Sequence, residues 1–286
     1  MTIVQSVLLG ILQGIAEFLP ISSSGHLAVA QALFGLDDVP LLYDVMLHLA
    51  TLLAVFIYFR RKIFRLLRIL FIWIFRKPYL EDSDPDDFLS GSEERGKRTI
   101  IAVILTSLVT AVLGVLTSKL IPDLSIRFTC AGFIATAVLL VFSYFMEKRS
   151  SRLHQNRAPK DEKGISALQA LFIGFMQGVG TLPGISRSGS TIAGAELCGV
   201  NRTAAGEYSF IASIPAILGA FVLEAKDLGE VGSSVGIVQV IAGCVSAFVF
   251  GYLALAFLMN LIRKGKLVWF VCYLVPLGIL GMIFLK

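Results

Sequence analysis

Gln13-Gly14-Ile15-Ala16-Glu17-Phe18-Leu19-Pro20-Ile21-Ser22-Ser23-Ser24-Gly25-His26 recurs, without a gap and 164 residues further on, as Gln177-Gly178-Val179-Gly180-Thr181-Leu182-Pro183-Gly184-Ile185-Ser186-Arg187-Ser188-Gly189-Ser190. Six of these fourteen positions are identical, and Gln5/Gln169, Gly10/Gly174 and Gly35/Gly199 extend the match. Each copy lies in an apolar stretch, 3–34 and 166–199, broken in its middle by Pro, Gly and a cluster of Ser. Neither half of such a stretch reaches the ~20 apolar residues that a crossing helix needs. Broken helices at membrane depth survive only where protein or a water-filled cavity surrounds them. Both stretches are therefore expected to be re-entrant helical hairpins.

Around them the chain reads as membrane throughout. Apolar residues make up 56% of it and charged residues 16%, with a mean hydropathy of +0.81. A soluble protein of 286 residues would lack the polar residues to cover its surface. Six segments are long and apolar enough to cross: 42–59, 99–120, 126–146, 204–224, 236–260 and 266–285. The expected fold is all-α and polytopic, one integral membrane domain over 1–286. Repeat 1 covers about 1–146 and repeat 2 about 164–286. The four cysteines lie in apolar runs without pair spacing and read as small buried hydrophobes, not a disulfide framework or a zinc site. No Lys or Arg precedes the first apolar run, so it does not read as a cleaved signal peptide.

Basic residues orient the loops. Ten Lys and Arg fall in 60–98, six in 147–165 and three in 261–266, out of twenty-five. The positive-inside rule places these loops in the cytoplasm, which accounts for the pI near 9.1 without invoking nucleic acid. Both termini are then expected outside, and the two hairpins enter from opposite sides. Such inverted repeats usually place their site where the interruptions meet, near the midplane. Arg60–Lys77 mixes basic and apolar residues and reads as an interfacial helix, with a seventh crossing as the alternative. The acidic run 79–94 and His154 read as solvated loop.

The interruptions carry chemistry. Gln13 and Glu17 are four apart and share a helix face. Pro20 ends that helix, and Ser22, Ser23 and Ser24 offer capping hydroxyls to the next. A helix start carries unpaired N–H groups and attracts phosphate. The second copy repeats the device with Pro183-Gly184 and Ser186-Arg187-Ser188-Gly189-Ser190-Thr191, where Arg187 replaces the middle serine. An arginine at membrane depth is costly, and its fork suits phosphate oxygens. This inventory fits metal-assisted phosphoryl transfer. Glu17, with Gln13, offers hard oxygen ligands to Mg²⁺ or Ca²⁺. Arg187 would clamp the transferred group, His26 is a candidate base, and Ser23 is a nucleophile or an anion contact. Candidate substrate contacts are Gln13, Ser22, Ser24, Gly25, Gly184, Ser186, Ser188, Gly189 and Thr191. The bland alternatives are a structural Glu17–Arg187 ion pair, a satisfied core His26 and serines that only cap.

These motifs closely resemble the two motifs of bacterial undecaprenyl-diphosphatase, the bacitracin-resistance protein family, and the resemblance extends over length, segment order and the Asp44-to-Thr51 stretch. It implies hydrolysis of undecaprenyl diphosphate to undecaprenyl phosphate and phosphate, recycling the lipid carrier of peptidoglycan synthesis. It also implies dependence on a divalent cation and a site at the outer face of a bacterial plasma membrane. The family's first motif is Glu or Gln, three residues, then Glu, so Gln13 is its neutral variant. The family's serine, histidine and arginine fall on Ser23, His26 and Arg187, which leaves open whether serine or histidine is the nucleophile. The partners implied are a polyprenyl diphosphate and membrane lipids, without nucleic acid; a homodimer stays open.

Asp44 and His48 are again four apart on a crossing. They read either as a pair that supports Glu17 or His26 or as a plain buried Asp–His pair. Glu207 and Glu196 follow the second motif, neither with a catalytic role. The competing function is an inverted-repeat transporter or flippase for a polyprenyl phosphate. The unequal halves, one with an acid and a histidine and the other with an arginine, favour catalysis.

Overall fold

The computed structural model describes residues 1–36, 39–76, 87–120, 125–153, 164–224 and 235–285. His154 lies outside them. The described chain is built of helices. A short pair, α1 (Ile3–Phe18) and α2 (Ser23–Leu33), is followed by α3 (Leu41–Tyr58), α4 (Arg60–Ile74), α5 (Glu93–Leu120) and α6 (Ile126–Leu153). A second short pair, α7 (Ala167–Val179) and α8 (Arg187–Leu197), leads to α9 (Arg202–Glu224), α10 (Ile237–Arg263), a 3₁₀ turn (Leu267–Phe270) and α11 (Val271–Phe284).

Six of these are long and apolar enough to cross a membrane: Leu41–Tyr58, Glu93–Lys119, Ile126–Met146, Arg202–Leu223, Ile237–Arg263 and Leu267–Phe284. The protein is a multi-pass membrane protein. α4 is 15 residues long, too short to cross. Its stripe Ile63, Leu66, Ile69 and Ile72 is buried, while Phe64, Leu67, Phe71 and Trp73 are exposed, so it packs on the bundle rather than forming a seventh crossing.

Contacts sort the loops into two ends. At one end Lys62 meets Glu207, Phe59 stacks on Phe210, Gly164 approaches Arg95, and the Arg202 guanidinium lies over Gly265. At the other, Met1, Leu36, Val39 and Val235 join one apolar cluster, Phe221 packs on Leu42 and Val45, and Arg127 Nε donates to the Leu285 carbonyl at 3.1 Å. The first end gathers the described part of all three basic loops. Each short pair leaves and returns to one end: Met1 and Leu36 share a cluster, and Gln169 Nε2 donates to the Cys198 carbonyl.

The two short pairs dock reciprocally. α1 packs along α10, and α7 packs along α5. Gly10 and Gly174, matching positions of the repeat, make these approaches close: a Cβ on Gly10 would overlap the Gly243 carbonyl, and one on Gly174 would lie 2.9 Å from that of Thr106. A buried tyrosine seals each junction, Tyr43 Oη with Ser6 Oγ and Tyr208 Oη with Thr106 Oγ1, both at 2.7 Å. The two hairpins even start alike, on capping boxes of Thr2 with Gln5 and Ser166 with Gln169.

One loop reading changes. Asp87, inside the run read as solvated, is buried; it pairs with Lys62 at 3.1 Å and Arg65 at 3.5 Å. Residues 77–86 lie outside the described chain. Glu207 pairs with Lys62 at the basic end. These contacts tie α4, the 87–92 loop and α9 together, a buried cost repaid by pairing. The cysteines are free, and Cys272 is exposed rather than buried.

Candidate active site

The motif turns are built by their own sequence. Pro20 forces Leu19 into extended backbone (φ −61°, ψ 142°), which stops α1. Two residues later Ser22 takes φ 71° and caps α2, accepting from the Gly25 N–H. A non-glycine residue rarely adopts that conformation, and such strain gathers at functional sites. In the second copy Gly184 turns the chain with φ +83°; any Cβ there would overlap the Thr129 carbonyl. Ser186 then caps α8, accepting from the Gly189 N–H at 3.1 Å, while its own N–H donates to Thr136 Oγ1.

The two turns meet. A Cβ on Gly25 would lie 3.1 Å from Gly184 Cα and 2.6 Å from the Phe133 ring. Ser188 Oγ reaches the Leu19 carbonyl at 3.5 Å. Across this junction Arg187 Nη2 donates to Glu17 Oε1 in a close ion pair. The other oxygen, Oε2, accepts from Ser23 Oγ at 2.6 Å and from Gln13 Nε2 at 3.0 Å. His48 Nε2 stands 3.2 Å from it. Glu17 is buried, 6% exposed, so its charge is held by these four groups and not by water.

A narrow, partly open cavity lies beside this cluster. Glu17, Arg187, Ser188, Thr51, Ser209 and Ser213 give it a polar side; Phe18, Leu52, Val55, Phe210 and Ile217 give it an apolar one. Polar and apolar walls in one space suit an amphiphile with a charged head.

Not all candidates join. His26 is buried elsewhere in the turn: Nδ1 faces the Ser22 carbonyl at 2.7 Å and Nε2 faces Tyr273 Oη at 2.8 Å. Its ring stacks on Tyr273 and tilts against Phe133. Both nitrogens are engaged, and its bonds do not reach Glu17 or Arg187. Ser24 is exposed and only brushes Ser22 Oγ at 3.5 Å; of the three serines Ser22 alone caps. Thr191 Oγ1 bonds the Arg187 carbonyl at 2.7 Å, a supporting place. Asp44 and His48 do not pair side chain to side chain. His48 Nδ1 bonds the Asp44 carbonyl at 2.7 Å, and the Asp44 carboxylate accepts from Gln31 Nε2. Both readings of the i, i+4 spacing had the two side chains paired; instead His48 alone faces Glu17, and nothing in the sequence marked Tyr273, Ser209 or Ser213.

The donor set bears on a divalent cation. Gln13 Oε1 is a buried acceptor without a hydrogen-bond partner, on the residue beside the Glu17 carboxylate. Among the described residues no three His, Cys, Asp or Glu side chains cluster. The protein thus offers two oxygen ligands, enough for a cation that brings its remaining ligands with it as water and phosphate.

A family model described as "Bacitracin resistance protein BacA" matches residues 6–280 of the chain. Curated proteins named "Undecaprenyl-diphosphatase" align along almost all of it. One from Treponema denticola is 43% identical over 98% of this chain and 96% of its own length. One from Methanosphaera stadtmanae is 35% identical over 98% and 97%, and one from Borrelia recurrentis 33% over 96% and 95%. With both motif turns inside the matched region and the alignments running end to end, the chain belongs to the bacitracin resistance protein BacA family.

Proposed function

We propose that this protein is a phosphatase that removes the terminal phosphate of undecaprenyl diphosphate, leaving undecaprenyl phosphate and inorganic phosphate. The named relatives support the substrate. The observation that carries the chemistry is Ser23 Oγ on Glu17 Oε2 at 2.6 Å, beside Arg187: a nucleophile, its base and an anion clamp in one cluster. A carrier of the lipid would need only the clamp.

In this reading the diphosphate enters the cavity and draws Arg187 from Glu17 onto its own oxygens. The freed carboxylate can then take a proton. Ser23 Oγ attacks the terminal phosphorus and passes its proton to Glu17. The bridging P–O bond breaks, and undecaprenyl phosphate leaves as a dianion that needs no proton. Water next attacks the phosphoserine; Glu17 returns its proton to Ser23 Oγ as that P–O bond breaks, and phosphate keeps both water hydrogens. Arg187 follows the phosphoryl oxygens through the loose transition state. Ser188, the α8 N–H groups beyond Ser186 and those of α2 beyond Ser22 supply further donors. A divalent cation, Mg²⁺ or Ca²⁺, would be held by Glu17 and Gln13 Oε1; bound there, it would neutralise charge on the diphosphate. His26 and Tyr273 hold the turn.

The repeat, read as inverted with both hairpins re-entrant, accords with the reciprocal docking and puts the site near the midplane. The basic end faces the cytoplasm and both termini face outside, with the site opening to the outer face.

The test is phosphate release from undecaprenyl diphosphate by purified protein in detergent, with and without chelator. Acid quenching with terminally ³²P-labelled substrate should trap label on Ser23. Binding without release, by wild-type protein with Mg²⁺ present, would favour the carrier.

A further inference from the structure

We propose that His48 is a positioning residue for the reaction, holding the Glu17 carboxylate aimed at Ser23 at the moment Arg187 leaves it. This rests on the reading of Glu17 as the proton acceptor. Three donors converge on Oε2, and only His48 comes from outside the hairpin, from α3. Among the described residues, Arg187 is the sole side-chain partner of Oε1. Once a diphosphate takes the guanidinium, Oε1 keeps no side-chain partner among the described residues, and the carboxylate can swing about its terminal bond. Gln13 rides on the same helix as Glu17 and moves with it. His48 stands on a buried crossing, so its 3.2 Å contact is an external reference.

The ring is itself fixed. Nδ1 faces the Asp44 carbonyl at 2.7 Å, and the Asp44 side chain is turned away to Gln31 at 2.8 Å. Both ring nitrogens therefore face oxygen atoms, which fixes the ring plane. The matching position in the second half, set by the tyrosine pair Tyr43 and Tyr208, is Ser213. Its hydroxyl is spent on the Phe210 carbonyl at 2.8 Å. The first half alone kept both an acid and a side chain to steady it.

Kinetics of four variants test this. His48→Leu removes the donor and should lower kcat between about tenfold and a hundredfold, the scale of a misplaced reacting group, with KM little changed. His48→Gln keeps a donor at similar reach and should keep most of kcat. His48→Asn is polar but a methylene shorter than Gln; it should behave like Leu, and it decides the matter should the apolar variant misfold. In a Glu17→Gln background, His48→Leu should cost nothing further, because a residue acting through the carboxylate has no effect once it is gone. Equal kcat for His48→Leu, His48→Asn and His48→Gln would overturn the proposal, as would an undiminished His48→Leu loss in the Glu17→Gln background. Wild-type turnover by Glu17→Gln would instead overturn the reading of Glu17.

Discussion

Arg187 and Glu17 hold each other across two motifs that lie far apart in sequence, and their variants separate catalysis from architecture. Glu17→Gln should fold and insert yet lose at least about a hundredfold in phosphate release, the low end for removing a general acid or base. Arg187→Lys keeps the charge but not the fork; it should still bind substrate and lose most of kcat, whereas Arg187→Ala should lose both. If the pair were only structural, Arg187→Ala with Glu17→Ala would melt higher than either single variant, because a lone buried charge is costly. Melting curves and phosphate release on the same preparations decide. His26 shows where spacing runs out as a guide. It stands three residues from Ser23 in the motif, but the turn at Ser22 carries its ring to Tyr273. Tyr273 comes from the end of the chain, and no local pattern could have announced it.

At the scale of elements, the turns and the loop that braces α9 make separate predictions. Gly184 has a positive φ and a backbone carbonyl where a side chain would begin, so Gly184→Ala should lower the melting temperature and displace Arg187. Phosphate release falling together with thermal stability is the expected sign. Asp87 braces the other end. Burial pushes its carboxyl up, but the Ser90 hydroxyl, the Lys62 ammonium and the Ser90 N–H outweigh this and hold it below its usual value. A carboxylate lowered on folding contributes stability that is present above its unfolded value, about 3.9, and is lost as pH falls through the native one. Wild-type protein in detergent should therefore lose melting temperature in strong acid by a step that Asp87→Asn lacks. The six crossings were legible because hydropathy reports directly on burial in lipid. The ionic brace was not, since an acidic loop looks the same whether one of its carboxylates turns inward or none does.

At the scale of the whole molecule, two motif turns from distant parts of the chain meet around one ion pair. The match of Gln13–His26 to Gln177–Ser190 was readable in the sequence, and the meeting of their turns was expected from it. Which groups would face Glu17 across the bundle depended on how α3 and α9 cross, and periodicity says nothing about that. Sidedness is open to a direct measurement. With the four native cysteines replaced, a cysteine at Ser125 should react with an impermeant thiol reagent added outside intact cells, and one at Ser92 should stay protected until the cells are opened. The opposite pattern would turn the molecule over in the membrane. Ser233, expected on the same side as Ser125, lies outside the described residues.

The docking of α1 along α10 also has a calendar. Helix α1 lies against a helix translated long after it, whereas α7 lies against α5, which is made before it. Until α10 is made, the first hairpin lacks the helix it packs along and keeps its contacts to α3 and α6. Chains halted before residue 237 should leave that hairpin open to protease, and chains that include α10 should protect it. The docking that seats the hairpin of Glu17 is thus completed only late in synthesis.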